Sequence, residues 1–286
     1  MNKFTQSAFI RFFTKFPQLL LASLLFTVPF ALFTAVFAFV GYLTGFNNIV
    51  VWLLGIIPSF PIYSGFVMIV RKYAVEKVDC KIIEVFFRAV KENWKKSLLN
   101  GMLCYVIVTC AVFALMYYGT MMNYDFVYGS IFTMYMFFSI ALLIMMFYVP
   151  IMTVTYELRL RDIYKNSLLL ILGKILRNLV ALLLVAVISV AAFFLVDFSG
   201  DLYSVVSIVV TVVLYPLLYT YVTVAVISKG LQENVGSFVA KSAPVYEDSV
   251  VSIDMQRLEK DGNSDYIYVN GRMIKNPHKD EEEKTL

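Results

Sequence analysis

The chain has 286 residues, 60% of them hydrophobic and 15% charged, with a mean hydropathy of +0.77 and a net charge of +4. Soluble domains are about 45–50% apolar and about 25% charged, so this composition excludes an ordinary soluble domain and points to the bilayer as solvent. The charge is uneven: residues 1–228 hold 16 Lys/Arg against 9 Asp/Glu, and residues 229–286 hold 8 against 11.

The first segment carries Phe9, Phe12, Phe13 and Phe16 as an apolar stripe, with Arg11 and Lys15 off it. That pattern predicts a basic amphipathic helix in the membrane interface, apolar face toward lipid. It leads into an uncharged run over 17–44, opened by Pro17. A cleavable signal has an apolar core of only about 7–15 residues, so a retained span is expected here.

A second uncharged run covers 49–70 and follows after only "GFNN", so the first two spans form a tight hairpin. Further runs cover 97–118, 126–152, 178–196 and 202–228. Crossing needs about 20 apolar residues, so six transmembrane helices are expected.

Ahead of the third span, Ile82–Lys96 is again amphipathic. Ile82, Ile83, Phe86, Phe87, Val90 and Trp94 share one face; Glu84, Arg88, Lys91, Glu92, Lys95 and Lys96 take the other. An interfacial basic helix is expected, with Arg88, Lys91, Trp94, Lys95 and Lys96 at the membrane surface. "GKILRNLVALLL" enters the fifth span in the same manner.

All 16 Lys/Arg of residues 1–228 fall in the N-terminal segment and in the second and fourth connections. The other three connections hold only aspartates, Asp125, Asp197 and Asp201. The bias of Lys/Arg toward the cytosolic side predicts a multi-pass protein of the cell membrane with both termini in the cytosol.

Pro58 and Pro61 lie in the second span, Pro150 in the fourth and Pro216 in the sixth. The expectation drawn from them is that interior prolines mark the even-numbered spans alone. The chain then reads as three helix-hairpin repeats, each an interfacial helix, an unbroken span and a proline-bearing span. Ser59, Ser64, Thr153, Thr155, Thr220 and Thr223 flank the prolines and are candidates to satisfy the freed carbonyls. The structural reading of the prolines is a packing kink. The functional reading is a set of broken helices that meet centrally, as in many transporters.

Residues 229–286 are polar and read as a separate cytosolic tail. "DYIYVNGRMIK", 265–275, alternates apolar residues around Asn-Gly, the hairpin signal. A lone hairpin is marginal in water, so it is expected to dock. The acidic end, 276–286, reads as disordered.

Cys80, Cys104 and Cys110 show neither metal spacing nor a disulfide pattern, and the one histidine, His278, is in the tail. No catalytic, cofactor or metal residues are expected, and the bases line a membrane surface rather than a nucleic acid. A neutral solute would have to be handled by Tyr63, Tyr148, Tyr156, Tyr215 and Tyr219, for which packing is the competing reading.

The proline-bearing second span leading into "VRK", then "FFRAVKENWKKSLL" over 86–99, "YVPIM" at 148–152, "DIYKNSLLL" at 162–170 and "YVNGRMIK" at 268–275 together resemble the YesL family of bacterial membrane proteins. The resemblance implies a polytopic protein of unassigned role, associated with sugar uptake and polysaccharide use, without defined catalytic residues. Two functions remain open: a non-enzymatic accessory protein, with subunits of an ABC-type sugar transporter as partners, and a small permease for a neutral solute.

Overall fold

The computed structural model describes residues 8–46, 48–156, 158–198, 200–231, 266–269 and 272–275. Six helices among them are long and apolar enough to cross a membrane. Short α1 (Ala8–Thr14) precedes α2 (Phe16–Thr44), which Pro17 opens in its first turn. Gly45 closes α2 in the left-handed region at φ 74°. The second crossing is made of α3 (Ile49–Leu53), capped by the Asn48 side chain, and α4 (Ile56–Arg71), which runs on into a π-helical turn, Lys72–Glu76.

The third crossing belongs to α5 (Ile82–Met121), the fourth to α6 (Phe126–Thr155), whose N-cap is Asp125. The short α7 (Leu160–Gly173) precedes the last two crossings, α8 (Ile175–Asp197) and α9 (Gly200–Leu231). In the tail, β1 (Tyr266–Val269) and β2 (Arg272–Lys275) pair antiparallel, Tyr266 opposite Lys275 and Val269 opposite Arg272. The expected hairpin therefore forms, and β2 lies beside α6. The expected disorder of 276–286 lies outside the described residues.

The helices pair as three hairpins, α2 with α3–α4, α5 with α6, and α8 with α9. The proline-bearing helices α4, α6 and α9 all touch one another, as the three-unit reading requires. The segment opening each next unit packs on the even-numbered crossing before it: α5 on α4 and α7 on α6. The ring closes where Phe12 of α1 meets Tyr221 of α9, centroids 4.9 Å apart.

At the axis is α4. None of its large apolar side chains is exposed, and Ser64 to Arg71 are all buried. Phe147 to Thr155 of α6 are buried at the same end, with Leu217, Val224 and Ile227 of α9. This is the end of the bundle that carries the bases. Toward the other end, Val36 and Phe39 of α2, Phe113 of α5, Phe137 of α6, Val187 of α8 and Val209 of α9 are exposed. An apolar exterior of that kind belongs against hydrocarbon.

Two expectations need correction. Ile82–Lys96 is no separate interfacial helix; it is the first part of α5, continuous through 40 residues. No proline or cap interrupts it, so nothing forces a turn. Its apolar stripe is also divided: Phe86 packs on α4, while Ile83, Phe87 and Trp94 stay exposed. Interior prolines do not mark even-numbered spans alone, because Pro29 sits inside α2. The second crossing is interrupted at Leu54 and Gly55, between α3 and α4 and close to the prolines expected to break it.

That break explains the paired prolines. Pro58 falls in the first turn of α4, where a missing N–H costs no helical bond. The carbonyl it would have used, on Leu54, accepts instead from Ile57 N at 3.1 Å. Pro61 is interior and frees the Ile57 carbonyl, which lies against Gly101 so closely that a Cβ there would stand 2.9 Å from the oxygen. Ser59 donates to Gly55 O at 2.6 Å and Ser64 to Pro61 O at 2.5 Å. In α6, Thr153 donates to Val149 O at 2.7 Å beside buried Pro150. In α9, Ser23 of α2 donates to Val213 O at 2.7 Å, three residues before half-buried Pro216.

Candidate functional site

Two polar clusters interrupt the apolar interior. The first lies where α4, α6 and α9 meet. Tyr63 of α4 shares a 3.1 Å hydrogen bond with the hydroxyl of Thr220 on α9. One residue away, Tyr219 stacks on Tyr215 at 6.1 Å and meets Phe147 of α6 edge-on at 5.9 Å. The Tyr215 hydroxyl shares a 3.1 Å bond with Ser189 of α8. The Tyr63 and Tyr215 hydroxyls are thus paired across helices, and Phe26 and Phe66 pack around the Tyr63 ring. The cluster gathers hydroxyls and aromatic rings and carries no charge.

The second cluster is at the basic end. Asn100 of α5 donates to Thr153 of α6 at 3.0 Å and accepts from Tyr164 of α7 at 3.0 Å. Asn178 of α8 accepts from Tyr148 at 2.6 Å and donates to the carbonyls of Leu170 and Ile171 at the end of α7. Each asparagine satisfies both ends of its amide while joining three helices. That is what a buried polar group in an apolar surrounding requires. Burial, and next the nearby Cys104 thiol, push Tyr164 up to about 12.

Charges tie down the π turn, which packs against α1 and α9. Arg71 pairs with Glu76 at 3.0 Å. Buried Arg11 of α1 donates to Tyr73 O at 3.3 Å and Lys77 O at 2.9 Å, placing a cation on the negative end of the helix. Arg177 stands against the end of α9, where a Cβ on Gly230 would be 2.6 Å from its guanidinium. Lys15 and Asp79 pair at 2.7 Å, and burial raises the Cys80 thiol in the same loop.

The expected site residues divide accordingly. Tyr63, Tyr215 and Tyr219 come together; Tyr148 sits in the asparagine network and buried Tyr156 ends α6. Pro58, Pro61 and Pro216 are half-buried and Pro150 is buried. Arg88, Lys91 and Lys95 are exposed on α5, Lys96 is half-buried, and Lys95 stands 5.7 Å over the half-exposed Trp94 ring. Sequence reasoning missed Asn100, Asn178 and the Arg11 cap. The signal was present, since an asparagine within an apolar run needs a partner.

The six crossings, the apolar exterior and the internally paired polar groups define an all-α polytopic membrane protein. No protein-family model matches the chain, and no curated protein or solved structure does so either. The resemblance to the YesL family therefore rests on the quoted residues alone.

Proposed function

We propose that the chain is a non-enzymatic accessory protein of the cell membrane, with its basic end and both termini in the cytosol. Its partners in this reading are subunits of an ABC-type carbohydrate-uptake transporter. The observation that carries the reading is the filled axis: Ser64 to Arg71 of α4 are buried against neighbouring helices, with Phe147 to Thr155 of α6 buried at the same end. A carrier must expose its broken helices to solute in turn. The exposed basic face of α5, with Arg88, Lys91 and Lys95, is the contact surface. Purification of the full chain in mild detergent should bring down a stoichiometric transporter subunit. A lone protein that moves solute in liposomes would overturn the reading.

The second reading is a permease for a neutral solute, favoured by one observation: Tyr63, Tyr215 and Tyr219 converge where the proline-bearing helices meet. Under it, Tyr219→Phe lowers solute flux in liposomes without lowering the melting temperature. Unchanged flux, or no flux at all in the parent protein, sinks it.

A further inference from the structure

The 14 residues of α7 are too few to cross a bilayer, yet part of its outer face is apolar. Ile163, Ser167 and Leu170 are buried and lie within ~60° of one another around the helix. This side packs on α6, where Ser167 reaches Met152 Sδ at 3.5 Å. On the opposite side, Arg161, Lys165, Leu168, Leu169 and Leu172 are all exposed within an arc of ~100°. That arc is graded along the helix, basic in its first half and apolar in its second. Past the bend at Lys174, exposed Ile175, Leu176, Leu179, Val180 and Leu183 continue the apolar surface along α8.

Hydrogen bonds fix the depth of α7. From Asn178, α8 rises ~29 Å to its end at Asp197, close to the ~30 Å of hydrocarbon, so Asn178 stands at the hydrocarbon edge. Asn178 donates to the carbonyls of Leu170 and Ile171 at 3.1 and 3.0 Å, which holds the end of α7 at that edge. It also accepts from Tyr148 at 2.6 Å. From Tyr148, α6 runs on for ~10 Å to Thr155 before the chain turns into α7. The start of α7 therefore lies outside the hydrocarbon, and the helix descends through the headgroup layer, ~5–8 Å thick, to reach it.

We propose that α7 is an inclined interfacial helix whose exposed arc is covered by lipid. Leu168, Leu169 and Leu172 lie among the acyl chains at the hydrocarbon edge, and Arg161 and Lys165 among the phosphates of the same leaflet. Two arguments favour lipid over a protein partner as the occupant. The apolar arc is continuous with the outer face of α8, a crossing helix whose exposed side meets hydrocarbon. The order along the arc, bases first and leucines at depth, is also the order in which a leaflet presents its phosphates and its chains. Tyr164 of the same helix donates to Asn100, so lipid and the asparagine network hold one element from two sides. The assignment holds whichever way the chain faces, and it does not depend on the proposed partner.

Tryptophan quenching in nanodiscs holding one copy of the full chain tests this. The chain's two tryptophans, Trp52 and Trp94, are first changed to phenylalanine. Single tryptophans are then placed by Leu172→Trp, Lys165→Trp and, as the standard for deep hydrocarbon, Val187→Trp; all three positions are exposed, so no packing is lost. With lipids brominated near the carboxyl end of the acyl chain, Leu172→Trp should lose most of its emission, and acrylamide in the water should quench it little. Lys165→Trp should show the reverse. Val187→Trp should respond to bromines near the methyl end. Melting temperatures check each fold, and Leu168→Trp repeats the measurement if Leu172→Trp unfolds. Water-like emission open to acrylamide at both leucine positions overturns the proposal, because the arc then lies in water. Blue-shifted emission untouched by either quencher overturns it as well, because protein then covers the arc. Bromine quenching that is lost in discs holding two copies overturns it in favour of a second copy as the occupant.

Discussion

At the scale of single residues, the polar groups of the interior act as cross-links. Asn100 holds α6 through Thr153 and α7 through Tyr164. Asn100→Ala should lower stability by about 1–2 kcal/mol, the upper range for such bonds in membranes. Adding Tyr164→Phe should then cost little more, because the two residues share one bond. A double-mutant cycle of melting temperatures in detergent checks this, and additive losses would refute the shared bond. Tyr164 also predicts a pH dependence. Its folded value is raised from 10 to about 12, so the fold favours the neutral phenol. That contribution is complete below pH 10 and is lost as the pH rises toward 12. The gap in melting temperature between the parent chain and Tyr164→Phe should shrink across that window. A constant gap would deny the phenol its role. The tyrosines were legible in the sequence as a set of hydroxyl-bearing rings, but their division into two clusters was not. Which helices meet is a tertiary fact that spacing along one helix does not carry.

At the scale of elements, glycines decide how closely the helices approach. A Cβ on Gly65 would lie 2.8 Å from the Phe86 carbonyl oxygen, and one on Gly101 2.9 Å from that of Ile57. Backbone stands on the receiving side in both cases, so α4 and α5 must part if either gains a methyl. Gly65→Ala and Gly101→Ala should each cost about 1–3 kcal/mol. On Gly119 a Cβ meets only Phe132 at 3.4 Å, so Gly119→Ala should be neutral or slightly stabilising through helix propensity. Thermal unfolding in one detergent ranks the three, and equal effects would contradict the close α4–α5 packing. The spans themselves were legible because hydrocarbon admits only helices with apolar exteriors. The continuity of α5 was not, because an amphipathic segment beside an apolar one reads alike whether the helix bends into the interface or runs straight on. The 40 residues of α5 extend ~60 Å, about twice the hydrocarbon thickness, so it runs oblique to the membrane or protrudes from it. Phe87 lines an apolar groove with Leu24, Val28 and Ile62 and stays exposed.

At the scale of the whole molecule, the bases and the buried core occupy the same end. Arg11, Arg71 and Arg177 are held there against helix ends and the π turn, while Arg88, Lys91 and Lys95 stay exposed. The opposite end carries the short turns after α2, α5 and α8, with Asp125 as a cap. A base retained at a helix C-terminus is stabilised by the dipole whichever way the protein inserts. The exposed bases are different: Arg88 pairs with Glu84 one turn away on α5, an exposed pair of little energetic weight, and the proposed cytosolic orientation would account for their placement. The proposed orientation is tested with single cysteines in a chain whose Cys80, Cys104 and Cys110 have been replaced. Cysteines at Asn123 and Phe198 should react with a membrane-impermeant maleimide added to intact cells, and cysteines at Lys91 and Lys165 only after lysis. Asn123 follows α5 and Phe198 follows α8, so both report the end without bases. Lys91 and Lys165 are exposed on α5 and α7, so a failure to label from outside reflects sidedness rather than burial. Labelling at Lys165 in intact cells would invert the orientation. It would place the exposed face of α5 outside the cell, and the cytosolic partner surface would be lost with it.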